Sequence, residues 1–177
     1  AYLDDLSRKG ELYVPKEEEK TVVFRKYSGG TRISLRKPAT TPAKSVMYPQ
    51  SETFFRFKFE KDGKDLDRVN VLIEESKDEE RRIIFGARPC DAKGFSVIDR
   101  VFIDTDTPDV YYKRRRENSY VATKSCDSPS SGCFCISVGC GPFDEEGSDA
   151  QFTEVKDGYL IEAVTEKGNI FLGSDLL

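Results

Sequence analysis

The stretch from Ser125 to Pro142, SCDSPSSGCFCISVGCGP, limits what this chain can fold into more than any other. It carries Cys126, Cys133, Cys135 and Cys140, four of the five cysteines in the chain, and the chain has no histidine. The fifth, Cys90, stands in GARPCD, directly after the apolar run Ile83-Ile84-Phe85. We read the two places as two halves of one metal-binding site. Gly132, Gly139 and Gly141 leave the backbone free to wrap closely around a bulky inorganic group. Thiolates hold iron–sulfur clusters, commonly four to a cluster. Zinc also accepts four thiolates, but its structural grip is usually a pair of knuckles with two to four residues between cysteines. Cys133-x-Cys135 is too tight for such a knuckle, and Cys90 has no near partner. The spacing therefore suits a cluster somewhat better than zinc, and it leaves disulfides and unliganded thiols open.

If Pro89 opens a helix, Cys90 lies in its first turn, where free amides and the helix dipole favour thiolate. Arg88 beside it acts in the same direction. Taken alone, Cys90 reads equally well as a small buried hydrophobe. A cysteine nucleophile normally needs a histidine base, so with no histidine present that chemistry has no support. Neither glycine-rich phosphate-loop pattern appears.

Charged residues make up 34% of the 177 and the net charge is −4, which gives nucleic-acid binding no electrostatic footing. No run approaches the roughly 20 apolar residues of a membrane span. The opening AYLDDLSRKG lacks Met and reads as the inside of a helix, so a piece of a longer chain is expected. An odd thiol count with uneven spacing argues for a reducing, cytoplasmic setting.

Strands are expected at 12–14, ending by Pro15, at 21–27, at 69–74, at 82–85 and at 120–123. Phe55, Phe57 and Phe59 alternate with Arg56, Lys58 and Glu60, the pattern of a half-buried strand, with a turn at Lys61–Lys64. Helices are expected near 91–102 and 108–118, the second capped by Asp106 or Thr107. Asp157-Gly158 marks a hairpin, and Glu166–Asn169 a second turn. Strands alternating with helices, then hairpins, predict one mixed α/β domain over 1–177, with residues 1–45 a candidate peripheral subregion.

GARPCDAKGFSVIDRVF, YYKRRR and CDSPSSGCFCISVGCGP, with YPQSETFFRF upstream, resemble the β subunit of sulfhydrogenases and the corresponding iron–sulfur subunit of anaerobic sulfite reductases. The resemblance covers about residues 46–165. It implies a cytoplasmic electron-transfer subunit that relays electrons through a [4Fe–4S] cluster to or from a catalytic or other redox subunit. Such a subunit is not itself catalytic. The residues matching the family's cysteines are Cys90, Cys126, Cys133 and Cys135, with Cys140 an extra thiol or substitute ligand. Arg88 and Arg115 are implied as arginines that support the cluster or its loop. For Arg115, within Arg114-Arg115-Arg116, the plain alternative is a solvated helix face. A ferredoxin-like domain is expected after residue 177, where this chain stops. The other functional reading is a zinc-stapled or metal-free module that docks a catalytic subunit.

Overall fold

The structure, a computed structural model, describes residues 2–61, 69–76 and 78–172. In chain order the elements are helix α1 (Tyr2–Lys9), strands β1 (Glu11–Glu18) and β2 (Thr21–Lys26), the single turn α2 (Lys44–Met47), and strands β3 (Phe55–Lys61), β4 (Val69–Glu75) and β5 (Arg82–Ala87). Then come helices α3 (Pro89–Phe102) and α4 (Val110–Glu117), strand β6 (Ser119–Lys124), and the hairpin β7 (Ala150–Val155) and β8 (Gly158–Ala163). Short 3₁₀ turns cover Cys135–Val138 and Glu166–Phe171.

Among the described residues the main sheet has the order β2-β1-β5-β6-β7-β8. The four middle strands are parallel, and antiparallel β2 and β8 close its two sides. This is the mixed α/β architecture expected from the sequence. β5 and β6 are buried almost throughout, as two-sided cover of a parallel sheet requires. On one face Ile84 and Val121 meet Ala92 and Phe95 of α3 and Tyr112 of α4. On the other, Ile83, Phe85, Ala122 and Phe152 meet Leu6 of α1 and Phe171.

Several boundaries differ from the sequence reading. β1 runs through Pro15, because its parallel pairing to β5 ends at Tyr13; beyond that only β2 and the 33–34 segment need bonding groups. Residues 1–45 supply α1, β1 and β2, and Leu6, Leu12 and Val14 belong to the core under the sheet. α4 is capped by Asp109, whose carboxylate accepts the Tyr111 and Tyr112 amides at 2.9 Å; Asp106 and Thr107 precede it in the loop. Glu166–Asn169 belongs to a 3₁₀ helix reaching Phe171, so that ring can enter the core.

The largest difference is β3. It pairs with β4 in a separate two-stranded ribbon, and all fourteen residues of the two strands are exposed. The alternation expected of a half-buried strand is there, but the described residues cover neither face. The turn expected at Lys61–Lys64 lies, past Lys61, outside the described residues.

Candidate metal centre

β5 and β6 are parallel neighbours, so their carboxyl ends open on the same edge of the sheet. That edge is where parallel sheets place ligands. The register of the pair shifts between Phe85 and Ala87, around Gly86 at φ +86°. A Cβ at Gly86 would lie 2.7 Å from Leu35 Cδ2 and 3.1 Å from Pro15, so both backbone and space require glycine there. The bulge delivers Arg88 as the residue before α3, with Pro89 at the helix start and Cys90 in the first turn.

Asp91 caps this turn: the Arg88 amide donates to its Oδ2 at 3.0 Å. The Arg88 guanidinium, nearly buried, donates to the Ser125 carbonyl at 3.3 Å and to the Leu35 carbonyl at 2.7 Å. One side chain thus ties the start of α3, the end of β6 and the 34–37 loop together. It also lies close enough to Cys126 and Cys133 to favour their thiolates.

The thiol-bearing stretch leaves β6 and returns on itself, because the Cys126 amide donates to the Pro142 carbonyl at 3.0 Å. Within it, Cys133 Sγ lies 3.2 Å from both the Ser130 amide and the Ser130 hydroxyl. Those hydrogen bonds hold the Cys133 thiol below its usual range. Cys135 begins a 3₁₀ turn closed by Gly139 at φ +68°, and its carbonyl accepts the Cys140 amide at 2.9 Å. Lys93 of α3 fastens this turn, donating to the Gly139 carbonyl at 2.7 Å and pairing with Asp144 at 3.2 Å and Glu146 at 3.1 Å.

All five cysteines are free thiols. Cys90 lies within electrostatic reach of Cys126, Cys140 and Cys135, and Cys126 within reach of Cys133 and Cys135. Residues separated along the chain are thus neighbours at one sheet edge. Burial, then Asp91, then the other thiols push Cys90 up to about 11, which overrides the thiolate preference expected of a helix first turn. Burial likewise raises Cys126 against the pull of Arg88. Burial and Asp144 raise Cys140, the one buried cysteine. Cys140 also lies within electrostatic reach of Cys90 and Cys135.

Arg115 is not part of this neighbourhood. Its buried guanidinium pairs with Glu52, with Asp78 at 3.2 Å, and with the Met47 carbonyl at 2.9 Å. Asp78 precedes β5 and Arg115 precedes β6, so this cluster sits at the amino-terminal edge of the sheet, opposite the thiols.

Two cations of the thiol edge escaped the sequence reading. Lys93 lies three residues after Cys90, a spacing that was available as a signal. Lys124, 1% exposed, pairs with Asp127 and with Glu154 at 3.6 Å; nothing in the run YVATK marks a buried lysine.

Among the described residues, no three His, Cys, Asp or Glu side chains are gathered as they would be around a single metal ion. In a four-iron cluster each thiolate binds its own iron, so the ligand sulfurs stand wider apart than around one ion. The donor set suits such a group: thiols from two segments distant in sequence, with Arg88 at hand to offset negative charge. The Ser125 hydroxyl, fully buried beside Cys126, has no hydrogen-bond partner among the described residues. A buried polar group left unmatched costs about 1–3 kcal/mol, so an acceptor at this edge would satisfy it.

The chain is 28% identical over 173 residues to Sulfhydrogenase 2 subunit beta of Pyrococcus furiosus, a match that covers 97% of this chain and 47% of that protein. It is a homologue of that protein and spans about half its length. No family model and no solved structure matches. No helix of the described residues is long and apolar enough to cross a membrane.

Proposed function

We propose that this chain is the cluster-holding part of a subunit of an oxidoreductase complex, of hydrogenase or sulfite-reductase type. On this reading it carries one [4Fe–4S] cluster on Cys90, Cys126, Cys133 and Cys135 and works in the cytoplasm beside a catalytic or other redox subunit. The observation that carries the reading is the meeting of the start of α3 with the 126–142 loop at one sheet edge, where Cys90 is in electrostatic reach of Cys126, Cys140 and Cys135, and Cys126 of Cys133 and Cys135. Homology to Sulfhydrogenase 2 subunit beta supports the oxidoreductase setting.

When bound, such a cluster accepts and returns one electron at a time without proton chemistry of its own. The work of the protein is to hold it. Cys90 presents its thiol from a helix turn fixed by Pro89 and the Asp91 cap. Cys133 and Cys135 present theirs from a loop pinned by Lys93 and by the Cys126–Pro142 bond. Arg88 and the Ser125 hydroxyl supply positive charge and a free donor, both of which raise the potential of an anionic centre. Cys140 is a structural thiol of the same loop, donating to the Gly141 carbonyl at 3.7 Å.

The test is metal analysis of anaerobically purified protein. Iron and sulfide near four per chain, with broad visible absorption bleached by dithionite, is the expected result. Cys133→Ala abolishes iron retention and Cys140→Ser leaves it largely intact. Equal loss in both variants overturns the ligand assignment. Colourless protein with stoichiometric zinc, or with no metal, establishes the docking-module alternative.

A further inference from the structure

The β3–β4 ribbon is the least protected part of the described structure. Register pairs Phe57 with Ile73, Phe59 with Val71 and Phe55 with Glu75, and paired residues of an antiparallel ribbon share a face. One face therefore presents Phe55, Phe57, Phe59, Val69, Val71 and Ile73, each between 50% and 71% exposed, with Lys61 and Glu75 at its two ends. The other presents Arg56, Lys58, Glu60, Asn70, Leu72 and Glu74. An isolated two-stranded ribbon is marginally stable in water, and one with a bare apolar face is an aggregation hazard.

The root of the ribbon is nonetheless fixed. Arg115 pairs with Glu52 before β3 and Asp78 after β4. The Ser76 amide donates to the Phe54 carbonyl at 2.8 Å, and Phe54 packs on Tyr111 with ring centroids 4.7 Å apart. The body of the protein aims this ribbon, and the described residues leave its apolar face bare.

We infer that the apolar face of the β3–β4 ribbon is a self-association surface, covered by the same ribbon of a second copy of this chain across a two-fold axis. Two quantities favour a second copy. The six side chains expose about 600 Å² per ribbon, so stacking two ribbons removes about 1,200 Å², the lower end of standard interfaces. The strands are also charge-balanced, with Arg56, Lys58 and Lys61 against Glu60, Glu74 and Glu75, although the whole chain carries −4. Two copies can meet there without net repulsion, and a self-complementary patch is what a two-fold dimer uses. Because the root lies at the amino-terminal edge of the sheet, the pairing leaves the thiol edge open.

The experiment is sedimentation velocity on the 177-residue chain from about 1 to 100 µM, with Phe57→Lys, Ile73→Lys and, as a control, Val97→Lys on α3. Wild type and Val97→Lys are expected at twice the 20.0 kDa chain mass. Each ribbon variant appears twice in the interface and raises the dimer dissociation constant about a hundredfold or more. Circular dichroism melts of the variants, matching wild-type monomer, show that the fold survives. A wild-type monomer across the range overturns the proposal. So does a dimer indifferent to both ribbon variants, or one lost equally in Val97→Lys. Exchange protection of the ribbon only on adding a different protein chain overturns it in favour of that chain.

Discussion

Replacing Arg115 with Leu separates a structural arginine from one that serves the thiols. The substitution removes a guanidinium that is 3% exposed and strands Glu52 and Asp78, 21% and 23% exposed. Breaking a fully buried pair by deleting one partner costs about 3–5 kcal/mol. Here the low end applies, because both carboxylates reach water and Asp78 keeps Arg82 at 2.8 Å. The lost bond to the Met47 carbonyl is within the same sum, which we put at about 3 kcal/mol. For a chain of this length that lowers Tm by about 6–12 °C. Differential scanning calorimetry measures it, and hydrogen exchange locates it: amides of β3 and β4 exchange faster, since both ribbon flanks lose their tie. Arg115→Lys restores part of the loss, because one ammonium cannot replace the fork. Iron content per folded chain stays unchanged, since Arg88 and Lys93 hold the thiol loop. An unchanged Tm, or iron lost from a protein that melts normally, refutes this assignment.

Two other perturbations test the scaffold. Gly147→Ala destabilises by about 2–4 kcal/mol, because at φ +82° its Cβ would stand 2.1 Å from the Ala92 carbonyl; Gly30→Ala, at φ +79° in open space, costs about 1 kcal/mol, and urea melts compare the two. Burial opposes ionisation of Glu11, but Lys26 and the Tyr13 hydroxyl hold its carboxyl below 4.5, so the pair stabilises the fold above that pH and the gain fades as pH falls through the folded pKa. Lys26→Met therefore lowers stability by a few tenths of a kcal/mol at pH 7, Lys26 being well exposed, and the gap to wild type closes as pH falls through the lowered Glu11 pKa; a constant gap down to acid pH contradicts the pairing.

The middle of the fold was legible because local and tertiary signals agree there. Ile83-Ile84-Phe85, Pro89 and the α3 periodicity all point to a buried strand feeding a helix, and the structure has both. The sequence shows that Cys90 and Cys126 each follow an apolar strand; it is the parallel pairing of β5 and β6 that sets the ends of those strands on one edge. What failed depended on neighbours. Alternation in Phe55–Lys61 shows that one face is apolar, not whether anything covers it. Arg115 is neither the cluster support that the resemblance implies nor a solvated face, because nothing local shows that burial and the carboxylates of Glu52 and Asp78 await it. The Cys90 expectation missed for the same reason: a helix first turn favours thiolate only until desolvation and adjacent thiols are counted.

The parallel run of β5 and β6 also acts as an insulator. Six residues of strand, about 20 Å, separate the Arg115 ties from the turn at Arg88, with the packed apolar side chains of Ile83, Ile84, Phe85, Val121 and Ala122 between. Substitutions so far apart should add rather than couple, to within about 0.5 kcal/mol. Phe57→Lys combined with Cys133→Ala should thus show each defect at its single-variant size, leaving either end of the molecule free to change without retuning the other.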